Sequence, residues 1–387
     1  MTGSAGRAPA LNLLPILAIV VFVLTVGAIV WSAGSTLGYD FQAYAHAARR
    51  LLDGQPLYDP AVDVAGGFAI YLYPPPFAVA IVPLALVGGG AAVWAWTGLT
   101  VLAFLAGVAV LPVRATVRWA VLLLGAVDWP VLYSIKLGQV GPLLFLLFAI
   151  GWRVLDTPTR PCPPRGRAIL GAIIAIGALV KLQPGLLAGW AALTGRWRTV
   201  VAAIVVGAIL AAVATVVTGV GPWFDYPALL GRVSAPLTTP HNFTPGAIAF
   251  QAGVAENIAA VVEWASVALA LVVMVVAART RSAEASYLIA VVVSQLVSPL
   301  LWDHYAMLLL LPVAWLLERR QWWAVAIPLS TAVVLVGVVP SAVYPVVFAA
   351  SLAGLLVVDA RQAAGELHRG PARRAATDAA IPLDSAL

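Results

Sequence analysis

Asp40, Arg49, Arg50, Lys136, Lys181, Asp303 and His304 are ionisable residues set at or near the ends of apolar stretches. A charge at membrane depth costs about 2.5–3.5 kcal/mol on insertion scales, so such residues tend to mark function. One carboxylate among several cations suits a particular chemistry. An acceptor hydroxyl has a pKa far above neutrality and needs a general base aimed at its proton. A phosphate leaving group is already a good anion and needs cations or backbone donors rather than an acid. Hydrolysis of a glycoside would instead require two carboxylates flanking the bond. Asp40 with Lys and Arg partners therefore fits sugar transfer from a lipid-linked sugar phosphate, with inversion expected from a single displacement.

The elements that must position these residues follow from composition. The chain has 387 residues, of which 62% are hydrophobic and only 10% charged. Soluble domains carry about 25% charged residues, so the class is an all-α integral membrane protein. The formal net charge of +6 is scattered over short loops without a basic stripe. That is a topology signal, and no nucleic-acid partner is expected. The single cysteine, Cys162, makes no intrachain disulfide and no zinc site. Residues 11–31 are long enough to span a bilayer and read as an uncleaved anchor.

Hydropathy predicts about twelve membrane spans, and a shorter apolar stretch at 73–88 decides the topology. If 73–88 does not cross and residues 1–10 are cytoplasmic, 17 of the 22 basic residues fall on the cytoplasmic side. The expectation is thus a transmembrane domain over 11–358, with 73–88 re-entrant or on the surface, and a disordered cytoplasmic tail over 359–387. Two long outer loops follow, 32–90 and 220–256. The short segments 168–181 and 183–195 are expected to form a V-shaped hairpin bent at Gln183-Pro184-Gly185. In the first outer loop, Phe41, Tyr44, Ala45, Ala48, Leu51 and Leu52 recur at helical spacing, with Gln42, His46, Arg49, Arg50 and Asp53 opposite. This predicts an amphipathic helix lying on the membrane surface and closed by Gly54. Under this topology Asp40, Lys136, Lys181, Asp303 and His304 converge on one face, as a site between helices requires.

Six motifs occur in order: Gly38-Tyr39-Asp40-Phe41 with Tyr44; Gly54 with Pro56-Leu57-Tyr58; Tyr73-Pro74-Pro75-Pro76-Phe77; Gly138-Gln139; Lys181-Leu182-Gln183-Pro184; and Ser298-Pro299 with Trp302 and His304-Tyr305. Together they resemble glycosyltransferase family 87, over roughly residues 12–358. The resemblance implies a GT-C-type polytopic helix bundle and a polyprenol-phosphate-mannose-dependent mannosyltransferase of the actinobacterial kind, which acts on phosphatidylinositol mannosides, lipomannan and related glycolipids. It also implies a catalytic aspartate in the first outer loop, which lands on Asp40. The chain departs from the family in the later outer loop, where an Asn-Gln-Ser-type motif commonly precedes an Arg. Here that region reads His241-Asn242-Phe243-Thr244, with Gln251 beyond it, which bears on the acceptor rather than on the reaction.

The expected roles follow. Asp40 is the base, and it also fits the N-cap of the helix that it begins. Tyr44, Arg49, Arg50, Tyr58, Lys136, Gln139, Lys181, Gln183, His241, Asn242, Trp302, Asp303 and His304 are candidate substrate-binding residues. Arg49 and Arg50 also suit anionic headgroups, and Lys136 and Lys181 also suit snorkelling. Asp128, beside Trp129-Pro130, is expected to satisfy backbone donors freed at a kink. Asp40, Asp53, Asp59 and Asp63 match no ligand spacing, so neither metal nor cofactor is predicted. The expected partners are a polyprenyl-phosphate-sugar donor, a lipid-linked glycan acceptor and membrane lipids. The expected location is the plasma membrane, multi-pass, with the site on the extracytoplasmic side. Two other readings use the same residues. One is a GT-C transferase for arabinose or glucose. The other is a transporter or flippase, which would show internal repeats that are not evident here.

Overall fold

A computed structural model of the chain describes residues 13–58, 70–157, 164–232 and 236–378. The expectations for Cys162, Asp59, Asp63 and residues 1–10 lie outside these residues. In chain order the helices are α1 (Leu13–Ala33), α2 (Tyr39–Leu52), α3 (Pro75–Val87), α4 (Gly89–Val110), α5 (Ala115–Gly125), α6 (Trp129–Leu137), α7 (Gly141–Arg153), α8 (Pro164–Val180) and α9 (Leu186–Leu193). There follow α10 (Trp197–Thr218), α11 (Gly221–Arg232), α12 (Pro245–Gln251), α13 (Glu256–Thr280), α14 (Ala283–Leu296), α15 (Leu310–Glu318), α16 (Ala326–Ser330), α17 (Val333–Val336) and α18 (Val343–Asp378).

The helices divide by their surroundings. α14 and α15 are mostly apolar and buried on nearly every side, so they form the centre. α1, α10 and α13 keep most of their apolar residues exposed and form the rim. α8 and α10 cross at Gly171, where a Cβ would come within 2.6 Å of the Thr199 carbonyl oxygen. On the rim, exposed Val, Ile and Leu are matched to lipid rather than to water.

The expected count of about twelve spans is not reproduced by helix length and composition among the described residues. Among the described residues, five helices are long and apolar enough to cross a membrane: α1, α4, α10, α13 and the first part of α18. α5 and α6, bent by 65° at their junction, make a sixth if they form one span. Apolar runs read from hydropathy alone are broken in three dimensions. α7 has 13 residues and α14 has 14, about 20 Å each against a hydrocarbon core of about 30 Å. The apolar run at 322–338 is divided among a 3-10 turn, α16 and α17. Between α8 and α9, residues Gln183–Gly185 form a 3-10 turn where the V-shaped hairpin is expected. α18 continues to Asp378, through much of the segment expected to be disordered.

α2 forms where the spacing predicted it, and Gly54 closes it at φ +65°. Its setting differs from the expectation. Phe41 stacks on Trp96 at 5.3 Å and Tyr44 meets Tyr73 edge-on at 4.8 Å. The apolar face of α2 is thus buried against α3, α4 and α6, so the protein itself covers the surface that was assigned to lipid.

Candidate functional site

Two glycines bring the start of α2 onto the end of α6. Gly38 takes φ +71° and serves as the N-cap of α2, and its N–H donates to the Lys136 carbonyl at 2.8 Å. Gly138 also takes φ +71° and caps the C-terminus of α6. A Cβ on Gly138 would lie 3.0 Å from Phe41 Cβ and 3.2 Å from Gly38 Cα. Only glycine permits both the left-handed backbone and this approach. The Trp96 indole N–H donates to the Gly138 carbonyl at 2.7 Å and fixes the turn. Asp40 then stands in the first turn of α2, where the helix dipole favours an anion. Its carboxylate makes no cap hydrogen bond, so the N-cap reading is corrected: the backbone of Gly38 does that work.

The turn delivers Gln139 to Asp40. Gln139 Nε2 donates to Asp40 Oδ2, and Gln139 Oε1 accepts from the hydroxyls of Tyr44 at 3.3 Å and Tyr73 at 3.2 Å. The two phenols also lie 2.8 Å apart. An ionised carboxylate only accepts, so the amide must turn its NH2 to Asp40 and its oxygen to the tyrosines. Each phenol has one proton, so one donates to Gln139 while the other donates to its neighbour. Burial raises the Asp40 pKa above the usual carboxylate range. Nearby His304, the Gln139 hydrogen bond and Lys181 each pull it back, and Asp303 pushes it up. Asp40 is therefore a half-buried carboxylate held in one orientation, with Lys181 and His304 near enough to act on it electrostatically.

Two further breaks in the helices complete the cluster. At the bend after α8, Lys181 Nζ lies 3.5 Å from the centre of the Tyr305 ring. Gln183 Nε2 donates to Ser298 Oγ at 2.6 Å, and Ser298 Oγ donates to the Leu300 carbonyl at 2.6 Å. Asp303 opens a 3-10 turn ahead of α15 and accepts from Trp129 Nε1 at 3.0 Å and from the His304 N–H at 2.8 Å. His304 is buried with both ring nitrogens lacking a hydrogen-bond partner, and its Nδ1 is 3.6 Å from Asp303 Oδ1. Buried polar atoms are normally satisfied, so these two nitrogens are poised for a group that enters the cluster.

Other sequence-predicted residues fall elsewhere. Arg49 donates to the Ala85 carbonyl at 2.7 Å, at the C-terminus of α3, and Arg50 donates to the Pro56 carbonyl at 2.7 Å. Lys136 is half-buried along Tyr133, 5.9 Å from its ring centre. Tyr58 is buried, donates to the Tyr73 carbonyl at 2.8 Å and stacks on Tyr226 at 5.8 Å. Trp302 is half-buried at the N-cap of the turn that carries His304. His241 is exposed with φ +59°. Asn242 is fully buried: its Nδ2 donates to the carbonyls of Pro236 and Pro299, and its Oδ1 accepts from the N–H groups of Thr244 and Leu301. Every polar atom of that side chain is spent joining residues 236–244 to residues 299–301. Asp128 bonds the Thr331 hydroxyl at 2.6 Å rather than local backbone donors, so its expected kink role is corrected.

Sequence reasoning missed Tyr73, Trp96, Trp129, Ser298 and Tyr305 as members of this cluster. Tyr73, Ser298 and Tyr305 lay within the quoted motifs, and Trp129 follows the conspicuous Asp128. Asp53 is exposed at the far end of α2, about 20 Å from Asp40 along the helix. Among the described residues no group of three or more His, Cys, Asp or Glu is placed to hold a metal ion.

The cluster thus gathers one oriented carboxylate, one lysine amine whose pKa burial lowers to about 7, and one unpartnered imidazole at the end of a helix bundle. No curated protein and no solved structure matches the chain. A family profile does match, over residues 71–299, which is more than half of the chain and includes Tyr73, Gln139, Lys181, Gln183 and Ser298 while leaving Asp40 and His304 outside its bounds. The chain belongs to glycosyltransferase family 87, and it is a membrane glycosyltransferase.

Proposed function

We propose that this chain transfers mannose from a polyprenyl-phosphate-mannose donor to a hydroxyl of a lipid-anchored mannoside or glycan, on the extracytoplasmic side of the plasma membrane, with Asp40 as general base. The observation that carries the reading is the orientation of Asp40 by Gln139 beside Lys181 and His304. In the reaction, the acceptor oxygen attacks the anomeric carbon as the bond to the phosphate oxygen breaks. The acceptor proton passes to Asp40, and the electron pair of the broken bond leaves on the polyprenyl phosphate. Attack from the face opposite the leaving group inverts the anomeric centre. Lys181 and the ring nitrogens of His304 supply the charge and donors that a departing phosphate needs. The distribution of charge supports the assignment of the membrane side. Arg114, Arg118, Arg153, Arg167, Arg196 and Arg319 lie at helix ends remote from Asp40, as a cytoplasmic face requires.

The test is Asp40→Asn in membranes supplied with labelled polyprenyl-phosphate-mannose. A positioned base contributes about 10²–10⁴-fold, so transfer should fall at least a hundredfold. Transfer at the wild-type rate refutes the base assignment. Transfer only from a lipid-linked arabinose or glucose refutes the choice of sugar.

A further inference from the structure

At the end of the bundle remote from Asp40, a cleft of about 380 Å³ opens between the end of α7, the start of α8 and the link from α9 to α10. The link is built to present polar groups. Gly195, at φ +71°, ends α9, and the Arg196 N–H donates back to the Ala191 carbonyl at 2.8 Å. Arg196 then becomes the N-cap of α10, and its carbonyl accepts from Thr199 and Val200. The N–H groups of Trp197 and Arg198 have no helix carbonyl before them, and the positive end of a 22-residue helix faces the cleft.

Three guanidinium groups line this space against one carboxylate. Arg167 pairs with Asp156 at 3.0 Å, Arg196 donates to the Asp156 carbonyl at 3.4 Å and lies over the Trp190 ring, and Arg198 is exposed. Thr199 supplies an independent observation. It lines the cleft, is 1% exposed, and its hydroxyl has no hydrogen-bond partner. A buried hydroxyl without a partner at the N-terminus of a helix, among arginines, is a place for an oxyanion. Trp197 is 62% exposed, and exposed indoles are enriched at the headgroup level of membrane proteins. Below it, Val201, Ile204 and Val205 are exposed at one-turn spacing and provide an apolar track for an acyl chain.

We propose that this cleft binds the phosphate of an anionic phospholipid headgroup, on the face opposite the transfer site. A phosphodiester headgroup and free inorganic phosphate share the chemistry, and the adjoining apolar track favours the lipid. The test is thermal unfolding of the purified full chain in detergent, titrated with dioleoyl-phosphatidylglycerol, dioleoyl-phosphatidylcholine or inorganic phosphate. Phosphatidylglycerol should raise Tm saturably, and phosphatidylcholine should not. Arg198→Gln and Thr199→Val should each weaken the apparent affinity for phosphatidylglycerol roughly tenfold, the effect of losing a hydrogen bond to a charged group. Arg114→Gln, at an ion pair elsewhere on the same face, should keep the full response. Arg198 is exposed, so Arg198→Gln carries the test alone if Thr199→Val folds poorly. A response that phosphatidylcholine equals, or that Arg198→Gln retains at full strength, overturns the proposal. A response to inorganic phosphate that matches phosphatidylglycerol at equal concentration overturns the lipid assignment.

Discussion

Replacing Gln139 by Met keeps the length of the side chain and removes both of its polar ends. Asp40 then loses its one oriented donor, and the phenols of Tyr44 and Tyr73 lose their shared acceptor. A hydrogen bond to a charged group contributes about 1.5–3 kcal/mol. Asp40 is half-buried, so water replaces part of the loss and the lower figure applies, about 1.5 kcal/mol or roughly tenfold. The sign on pH follows from the environment of the carboxylate. Burial already raises its pKa and the amide pulls it down, so removing the amide raises it further. A base works only when deprotonated. The acid limb of kcat/KM should therefore move to higher pH, while activity on the alkaline side falls less. The assay is transfer of labelled sugar from the polyprenyl-phosphate donor at a series of pH values. An acid limb in the same place as in the wild type refutes the coupling between Gln139 and Asp40. The tyrosines give a cross-check. Tyr44→Phe or Tyr73→Phe alone leaves one donor for Oε1 and should cost less than about threefold. The double variant leaves none and should approach Gln139→Met, a non-additive pattern expected of groups that share a partner.

Gly138→Ala should lower stability by about 2 kcal/mol, because a left-handed residue with a Cβ costs about 1–2 kcal/mol and its Cβ would press on Gly38 and Phe41. Thermal unfolding reads the loss, and transfer should fall with it as Gln139 is displaced. Asn242→Ala should cost at least about 2 kcal/mol, since two carbonyls and two N–H groups lose their partner together, and limited proteolysis within residues 236–251 should accelerate. Arg114→Gln breaks an ion pair whose side chains are 51% and 26% exposed, so Tm should change by the equivalent of less than about 1 kcal/mol.

Much of this protein was legible before any coordinates. Composition requires a membrane protein, and charge at the ends of apolar stretches singles out Asp40, Lys181, Asp303 and His304. What hydropathy could not supply is continuity. A run such as 116–133 is equally apolar whether it crosses straight or bends by 65° before Trp129-Pro130, because the bend changes no side chain. The site was readable in its charges and not in its neutral groups. Gln139 was chosen as a substrate ligand, yet its amide is occupied by Asp40 on one side and two phenols on the other. Asn242 likewise carries the right functional group, but backbone carbonyls and N–H groups take up both of its ends. A sequence records which donors exist, whereas folding decides which of them are already spent.

The hydrogen bond between Asp40 and Gln139 joins residues 99 apart in the chain. At a synthesis rate of 5–20 residues per second, Asp40 leaves the ribosome about 5–20 s before its partner. His304 comes later still. During that interval α1 can already enter the membrane, while α2 has neither Trp96 nor Gly138 to receive its apolar face. The nascent chain must hold Phe41 and Tyr44 in lipid or against an insertion factor until α4 and α6 arrive. Biogenesis thus contains a waiting step at α2, and the carboxylate acquires its orientation only when that step ends.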